Sequence, residues 1–231
     1  MEIDHLIVGA GTAGCVLAER LSADPARRVV VLEAGPDAGD GTGVADGLDW
    51  GLRATVTGGR AEPLARGRVV GGSAQVNGMG AVRATAGDFR AWAALGLPAW
   101  DWERVLESYR RVEHDLEYGG LPYHGDAGPV PITRWPEEQW TPPVRGLVEA
   151  ALDAGHPYCA DLNAPGARGI GPYPHHRRGR RRMSTALTHL APARGRPNLT
   201  VRAGCPVERV LVRRGRATAC WPGERPSPPA R

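Results

Sequence analysis

Three glycines, Gly9, Gly11 and Gly14, and one carboxylate, Glu33, with residues 15–32 between them, are the groups whose types and spacing could do chemistry together. A glycine at the first position permits a tight turn, the second lets backbone approach a pyrophosphate, and the third lets a helix pack closely on a strand. The helix that follows would turn its unpaired amides and positive dipole end toward the phosphates. Glu33 would accept hydrogen bonds from ribose hydroxyls, and its charge disfavours a 2′-phosphate, which argues against NADP. By itself this pattern does not separate NAD from FAD.

A second glycine-rich stretch runs from Arg66 to Met79. Gly71 and Gly72 expose backbone amides, Ser73 adds a hydroxyl and Asn77-Gly78 supplies a tight turn, which together suit close approach to a diphosphate or a flat ring. Read alone, the stretch also fits a flexible surface loop.

The elements that would position these groups follow from the apolar pattern. Leu6-Ile7-Val8 and Val29-Val30-Val31-Leu32 are continuous apolar runs, as expected of parallel strands covered on both faces. Between them Ala13, Val16, Leu17 and Leu21 share one helical face, and Asp24-Pro25 closes the helix. Further along, Asp101 is expected to cap a packing helix with Val105, Leu106, Tyr109 and Val112 on its apolar face. A second packing helix carries Val144, Leu147, Val148, Ala151 and Leu152 and ends before Gly155. Trp92, Trp100 and Trp102 are expected in the core, and residues 155–174 form a long loop placed to cover a bound ring. Leu199-Thr200-Val201 and Val207–Val212 read as strands, and a turn at Arg213–Arg216 leads to a short return at Ala217–Cys220.

Composition excludes several classes. The basic residues are all Arg, and the net charge of +4 vanishes if the run Arg177–Arg182 is set aside, so nucleic acid is not expected as a partner. Cys15, Cys159, Cys205 and Cys220 lack zinc or redox spacing, and the seven His show no metal pattern. No secretory leader or membrane span is read, and a cytoplasmic protein with reduced thiols is expected.

The second glycine stretch resembles the signature of the glucose-methanol-choline (GMC) oxidoreductases. The likeness continues through Asp88-Phe89-Arg90-Ala91-Trp92, Leu95-Gly96, Pro98, Trp100-Asp101-Trp102, Tyr123-His124-Gly125, Gly128-Pro129, Asp161-Leu162-Asn163, Gly169-Ile170-Gly171 and Arg196–Val201. It implies an α/β, Rossmann-like FAD-binding domain with a parallel sheet, formed by residues 1–90 and 191–220. Residues 91–190 would form part of an α+β substrate or cap region, and residues 221–231 a disordered tail.

The implied cofactor is FAD and the implied substrate a small alcohol, oxidised by hydride transfer to the flavin. Carried over by position, Thr12, Ala13, Glu33 and Ala34 would touch the ADP moiety. Gly72, Asn77, Gly78 and Met79 would lie along the pyrophosphate and flavin, and the backbone of Val207 would meet the adenine. Ala74 and Arg90 depart from the family pattern. The Arg run resembles a family segment leading into a short helix, which Ser184 is expected to cap. The family's catalytic His and its His or Asn partner lie beyond the matched region. No catalytic residue is therefore assigned, and each His of this chain is read as structural or solvated. Two other readings remain: a non-catalytic FAD-binding module completed by a partner chain, and, less favoured, an NAD-dependent dehydrogenase.

Overall fold

The computed structural model describes residues 3–39 and 47–222. It divides into two compact units, Met1–Gly78 with Arg182–Arg231, and Met79–Arg181.

In the first unit, β1 (His5–Val8), α1 (Thr12–Leu21) and β2 (Val29–Leu32) form the expected βαβ start. β3 (Arg53–Thr55) and β4 (Ala61–Pro63) make a small antiparallel ladder of their own. In the second unit α2 (Ala86–Ala94) begins at a capping box. The Thr85 side chain accepts from Asp88 N while Asp88 accepts from Thr85 N, so two donors of the first turn are satisfied reciprocally. α3 (Trp102–Val112) runs into β5 (Glu113–Asp115), which pairs in parallel with β6 (Val130–Ile132). α4 (Pro142–Asp153) follows, and then the short strands β7 (Arg177–Arg178) and β8 (Arg181–Arg182).

The chain re-enters the first unit through a π-helical turn, Ala186–Leu190, and the short α5 (Ala191–Ala193), then β9 (Leu199–Arg202), β10 (Val207–Arg213) and β11 (Arg216–Pro222). The three-stranded parallel sheet has the order β1-β2-β9, with Leu6 opposite Val30 and Val30 opposite Thr200. α1 and the π-helical turn close over it, and Ile7, Cys15, Ala18, Val29, Val31 and Leu190 form its core. Burial pushes the Cys15 thiol up to about 11, so it behaves as a packed apolar group.

Several expectations are corrected. β2 is buried on both faces, but in β1 Leu6 and Val8 are 37% and 50% exposed, because no described element covers that face. The β10–β11 ribbon forms a separate two-stranded sheet, outside the parallel one. Trp221 and Pro222, read as tail, pair with Arg209 and Val207, and residues 223–231 lie outside the described residues. Asp101 and Ser184 make no side-chain cap. Asp101 holds the N-cap position without a side-chain bond, and Ser184 offers its carbonyl, not its buried hydroxyl, to Leu187 and Thr188. No α3 or α4 residue is fully buried, so these helices pack less closely than their apolar faces suggest. Phe89 is the buried centre of an aromatic group with Trp92, Trp102 and Tyr109, whereas Trp92 and Trp100 are half-exposed.

Candidate cofactor site

The glycine loop after β1 is held from both sides. Gly9 takes φ +90°, which favours glycine, and its N–H donates to Leu32 O at 2.7 Å. A Cβ on Gly14 would stand 1.9 Å from Gly9 O, so only glycine lets α1 start this close to the loop. Gly11 is the N-cap and has no side-chain cap, which leaves the first-turn amides, including those of exposed Thr12 and Ala13, without a capping acceptor.

Glu33 does more than its position at the end of β2 implies. It is 5% exposed, Oε2 accepts from Ala10 N at 2.8 Å, and Oε1 accepts from Gly35 N at 2.8 Å. One carboxylate thus ties the first glycine loop to the turn after β2. With about four lone-pair sites, it keeps acceptor capacity for a hydroxyl. Ala34 sits half-buried between Glu33 and Gly35.

The second glycine stretch packs against the first, which overturns the flexible-loop alternative. Val69 and Val70 are buried, Gly71 N donates to Ala10 O at 2.7 Å, and a Cβ on Gly72 would stand 2.6 Å from Gly11 Cα. Gly71 and Gly72 both have positive φ, and Gly72–Gln75 form a 3₁₀ turn. Asn77 Oδ1 accepts from Arg182 Nη1 at 2.8 Å, and the same guanidinium reaches Ala74 O at 3.2 Å. Around Gly78 there is open space. Met79, with φ 61°, opens the second unit, where its carbonyl accepts from His176 N.

Val207 begins β10 opposite Pro222. The segment before it is anchored at the same place, since Gly204 N donates to Gly35 O at 2.8 Å and Cys205 N to Glu33 O at 2.7 Å. The structure therefore gathers Gly9, Gly11, Thr12, Ala13, Gly14, Glu33, Ala34 and Gly72 around one backbone cradle. These two backbone bonds and the Arg182 contact are partners that sequence reasoning missed.

The second unit contains a cluster that sequence reasoning also missed. His124, 1% exposed, holds Glu113 Oε1 through Nδ1 at 2.5 Å and Asp161 Oδ2 through Nε2 at 2.9 Å. Arg134 grips both oxygens of Asp115 at 2.7 Å and reaches Asp161 at 3.0 Å, and Arg83 pairs with Glu113 at 2.5 Å. Burial alone would lower the His124 pKa, but the hydrogen bonds to Asp161 and Glu113 win and raise it to about 9. Burial would raise Glu113, but His124 and Arg83 hold it below its ordinary value.

Glu113, Asp115 and His124 offer ligand atoms within 4.8 Å of one another. Glu113, Asp115 and Asp161 here face Arg83, His124 and Arg134, so these atoms are already occupied by charge partners. The signal lay in the quoted stretches Tyr123-His124-Gly125, Gly128-Pro129 and Asp161-Leu162-Asn163. A Cβ on Gly125 would meet Arg110 O at 2.0 Å, and one on Gly128 would meet Val112 C at 2.3 Å.

The fold and cradle define a βαβ dinucleotide-binding protein whose glycine loop is backed by a second glycine segment. The chain belongs to the GMC oxidoreductases, whose family model matches residues 3–221. It is 40% identical to a GMC-type oxidoreductase of Rhodococcus erythropolis over 228 residues, 93% of this chain and 45% of that protein. It is 37% identical to the 5-(hydroxymethyl)furfural oxidase of a Methylovorus strain, over 86% of this chain and 42% of that enzyme. Pyridoxine 4-oxidase from Mesorbium loti superposes with a TM-score of 0.84 at 33% identity, covering 95% of this chain and 45% of that one. An FAD-dependent oxidoreductase from Chaetomium thermophilum superposes at 0.82 with 26% identity, covering 95% and 41%. The chain spans less than half the length of these relatives. Among the described residues no helix is long and apolar enough to cross a membrane.

Proposed function

We propose that this chain is the FAD-binding portion of an oxidoreductase that takes hydride from the CH–OH group of a small alcohol. The observation that carries the reading is the cradle. Gly11 and Gly72 bring two backbones together with no side chain between them, Gly9 turns the loop at φ +90°, and Glu33 fixes both neighbouring turns while keeping acceptor capacity. In this reading the amides of Thr12 and Ala13 face the diphosphate, and Glu33 and Ala34 meet the ADP ribose. The Val207 backbone meets the adenine, and Gly72, Asn77, Gly78 and Met79 follow the pyrophosphate toward the flavin. Bound FAD supplies the hydride-accepting ring. What this chain's own residues do is bind and orient that group. None is assigned as the proton acceptor for the alcohol, since each buried His already has a structural partner or setting. The names of the furfural and pyridoxine oxidases support a hydroxymethyl-type substrate for the whole enzyme.

A thermal-shift comparison tests the cofactor. FAD at a hundredfold excess over its dissociation constant adds about 2.7 kcal/mol of stability, and NAD should add none. Equal stabilisation by NAD would favour the dehydrogenase alternative. With FAD and an artificial electron acceptor, the chain alone is expected to turn over little 5-(hydroxymethyl)furfural or choline. A second reading, a cofactor module completed by a partner chain, is favoured by the exposed apolar residues Leu6 and Val8 on β1.

A further inference from the structure

A cavity of about 820 Å³ lies wholly within the second unit, a size that suits a small ligand. Trp135, Trp140 and Tyr173 line it. Trp140 Nε1 donates to Trp135 O at 3.0 Å, which holds the two tryptophans to one another, and the Tyr173 ring meets the His175 ring edge-on at 5.4 Å. The charged residues of the wall are Arg177 and Arg180, and among the described residues no carboxylate lines it.

Arg177 is 5% exposed and its guanidinium lies 3.6 Å from the Trp135 ring centroid. Its two terminal nitrogens donate to the carbonyls of Gly179 and Arg134, each at 2.5 Å. Its Nε is buried and has no acceptor among the described residues. Among the described residues it forms no ion pair, and burial pulls its pKa below the ordinary value. A buried cation bonded only to neutral carbonyls leaves uncompensated positive charge behind this wall, which favours an anion in the cavity. Arg180 is exposed and makes no hydrogen bond or ion pair among the described residues.

We infer that this cavity binds an aromatic carboxylate, with the ring against the tryptophans and Tyr173, the carboxylate on the exposed Arg180 and the buried charge of Arg177 behind it. The aromatic walls select a flat ring, and the two guanidiniums select its charge. None of these residues belongs to the glycine cradle, so binding requires no FAD.

The test is titration of the full chain with benzoate in the absence of FAD, followed by tryptophan fluorescence and calorimetry. Saturable binding with a Kd below roughly 1 mM is expected for a ligand of this size. Benzyl alcohol, which has the ring without the charge, and acetate, which has the charge without the ring, should each bind at least about tenfold more weakly. Arg180→Ala removes an exposed side chain and should weaken benzoate about tenfold at an unchanged melting temperature. Arg177→Gln should abolish binding, and if that variant fails to fold the Arg180 result still decides. The inference is overturned if benzoate does not saturate, if benzyl alcohol or sulfate binds as tightly, or if Arg180→Ala leaves the affinity unchanged. The absence of an FAD thermal shift alongside intact benzoate binding would count against the cofactor reading alone.

Discussion

At the residue scale Glu33 carries two loads that one carboxylate can serve and one carboxamide cannot. Both of its present partners are backbone N–H donors, so in Glu33→Gln one of them would face an NH₂ group. That leaves a buried donor unsatisfied, at about 1–3 kcal/mol. The expected outcome is a lower melting temperature without FAD and, in addition, weaker FAD binding. A variant that melts like the parent but binds FAD less well would reduce Glu33 to a ribose contact. The glycines and this acid were legible because their spacing is local in sequence. The clamp was not, because it depends on which amides the folded turns present to the carboxylate. His124 shows the same limit: its partners Glu113 and Asp161 are brought together only by folding. Its pKa is raised to about 9, so its stabilising contribution is complete below the ordinary value near 6.5 and is lost as pH rises through about 9. Melting temperature should therefore fall across that window, and in His124→Gln the fall should disappear. Glu113 and Asp161, whose pKa values are lowered, act in the other direction: their contribution is present above the ordinary carboxylate range and is lost as pH falls through their folded values.

At the element scale the parallel sheet is tied to its crossover by the side chains of Asn198 and Arg196. Asn198, just before β9, donates through Nδ2 to the carbonyls of Ser22, Asp24 and Arg27, at 3.1, 2.9 and 2.8 Å. Arg196 supports the same turn through Glu19 O and Ser22 Oγ. These bonds set the return from α1 to β2 and hold β9 beside β2, the pairing on which the cradle rests. Asn198→Ala should cost about 1–3 kcal/mol in chemical denaturation, because the three turn carbonyls that share its two N–H groups lose that partner. A loss of under about 0.5 kcal/mol would show that water replaces the amide. β1, α1, β2, β9 and α4 could be read from the sequence because an apolar run or its periodicity reports the type of element. It reports neither what does the covering nor whether a ribbon joins a sheet. For that reason the apolar run of β1 predicts burial on both faces, whereas one face is open.

At the scale of the whole molecule the family assignment and the exposed surface bear on one question. The relatives are more than twice as long as this chain, and the chain's β1 sits at the end of the β1-β2-β9 order with Leu6 and Val8 open to solvent. A parallel strand with both faces apolar is unusual unless something covers it. If the second reading holds, a separate polypeptide covers that face. The remaining length of the Rhodococcus relative, produced as its own chain, is a suitable probe. Val8→Asp places a charge at a half-exposed position, so it should change the stability of this chain by no more than about 0.5 kcal/mol and leave the FAD thermal shift in place. The same charge would have to be desolvated on assembly, at several kcal/mol, so Val8→Asp should prevent co-elution that the parent chain shows. If the parent and the probe do not co-elute, the partner reading is lost and the cofactor-binding portion stands alone. If both parent and variant co-elute, the two chains meet at another surface.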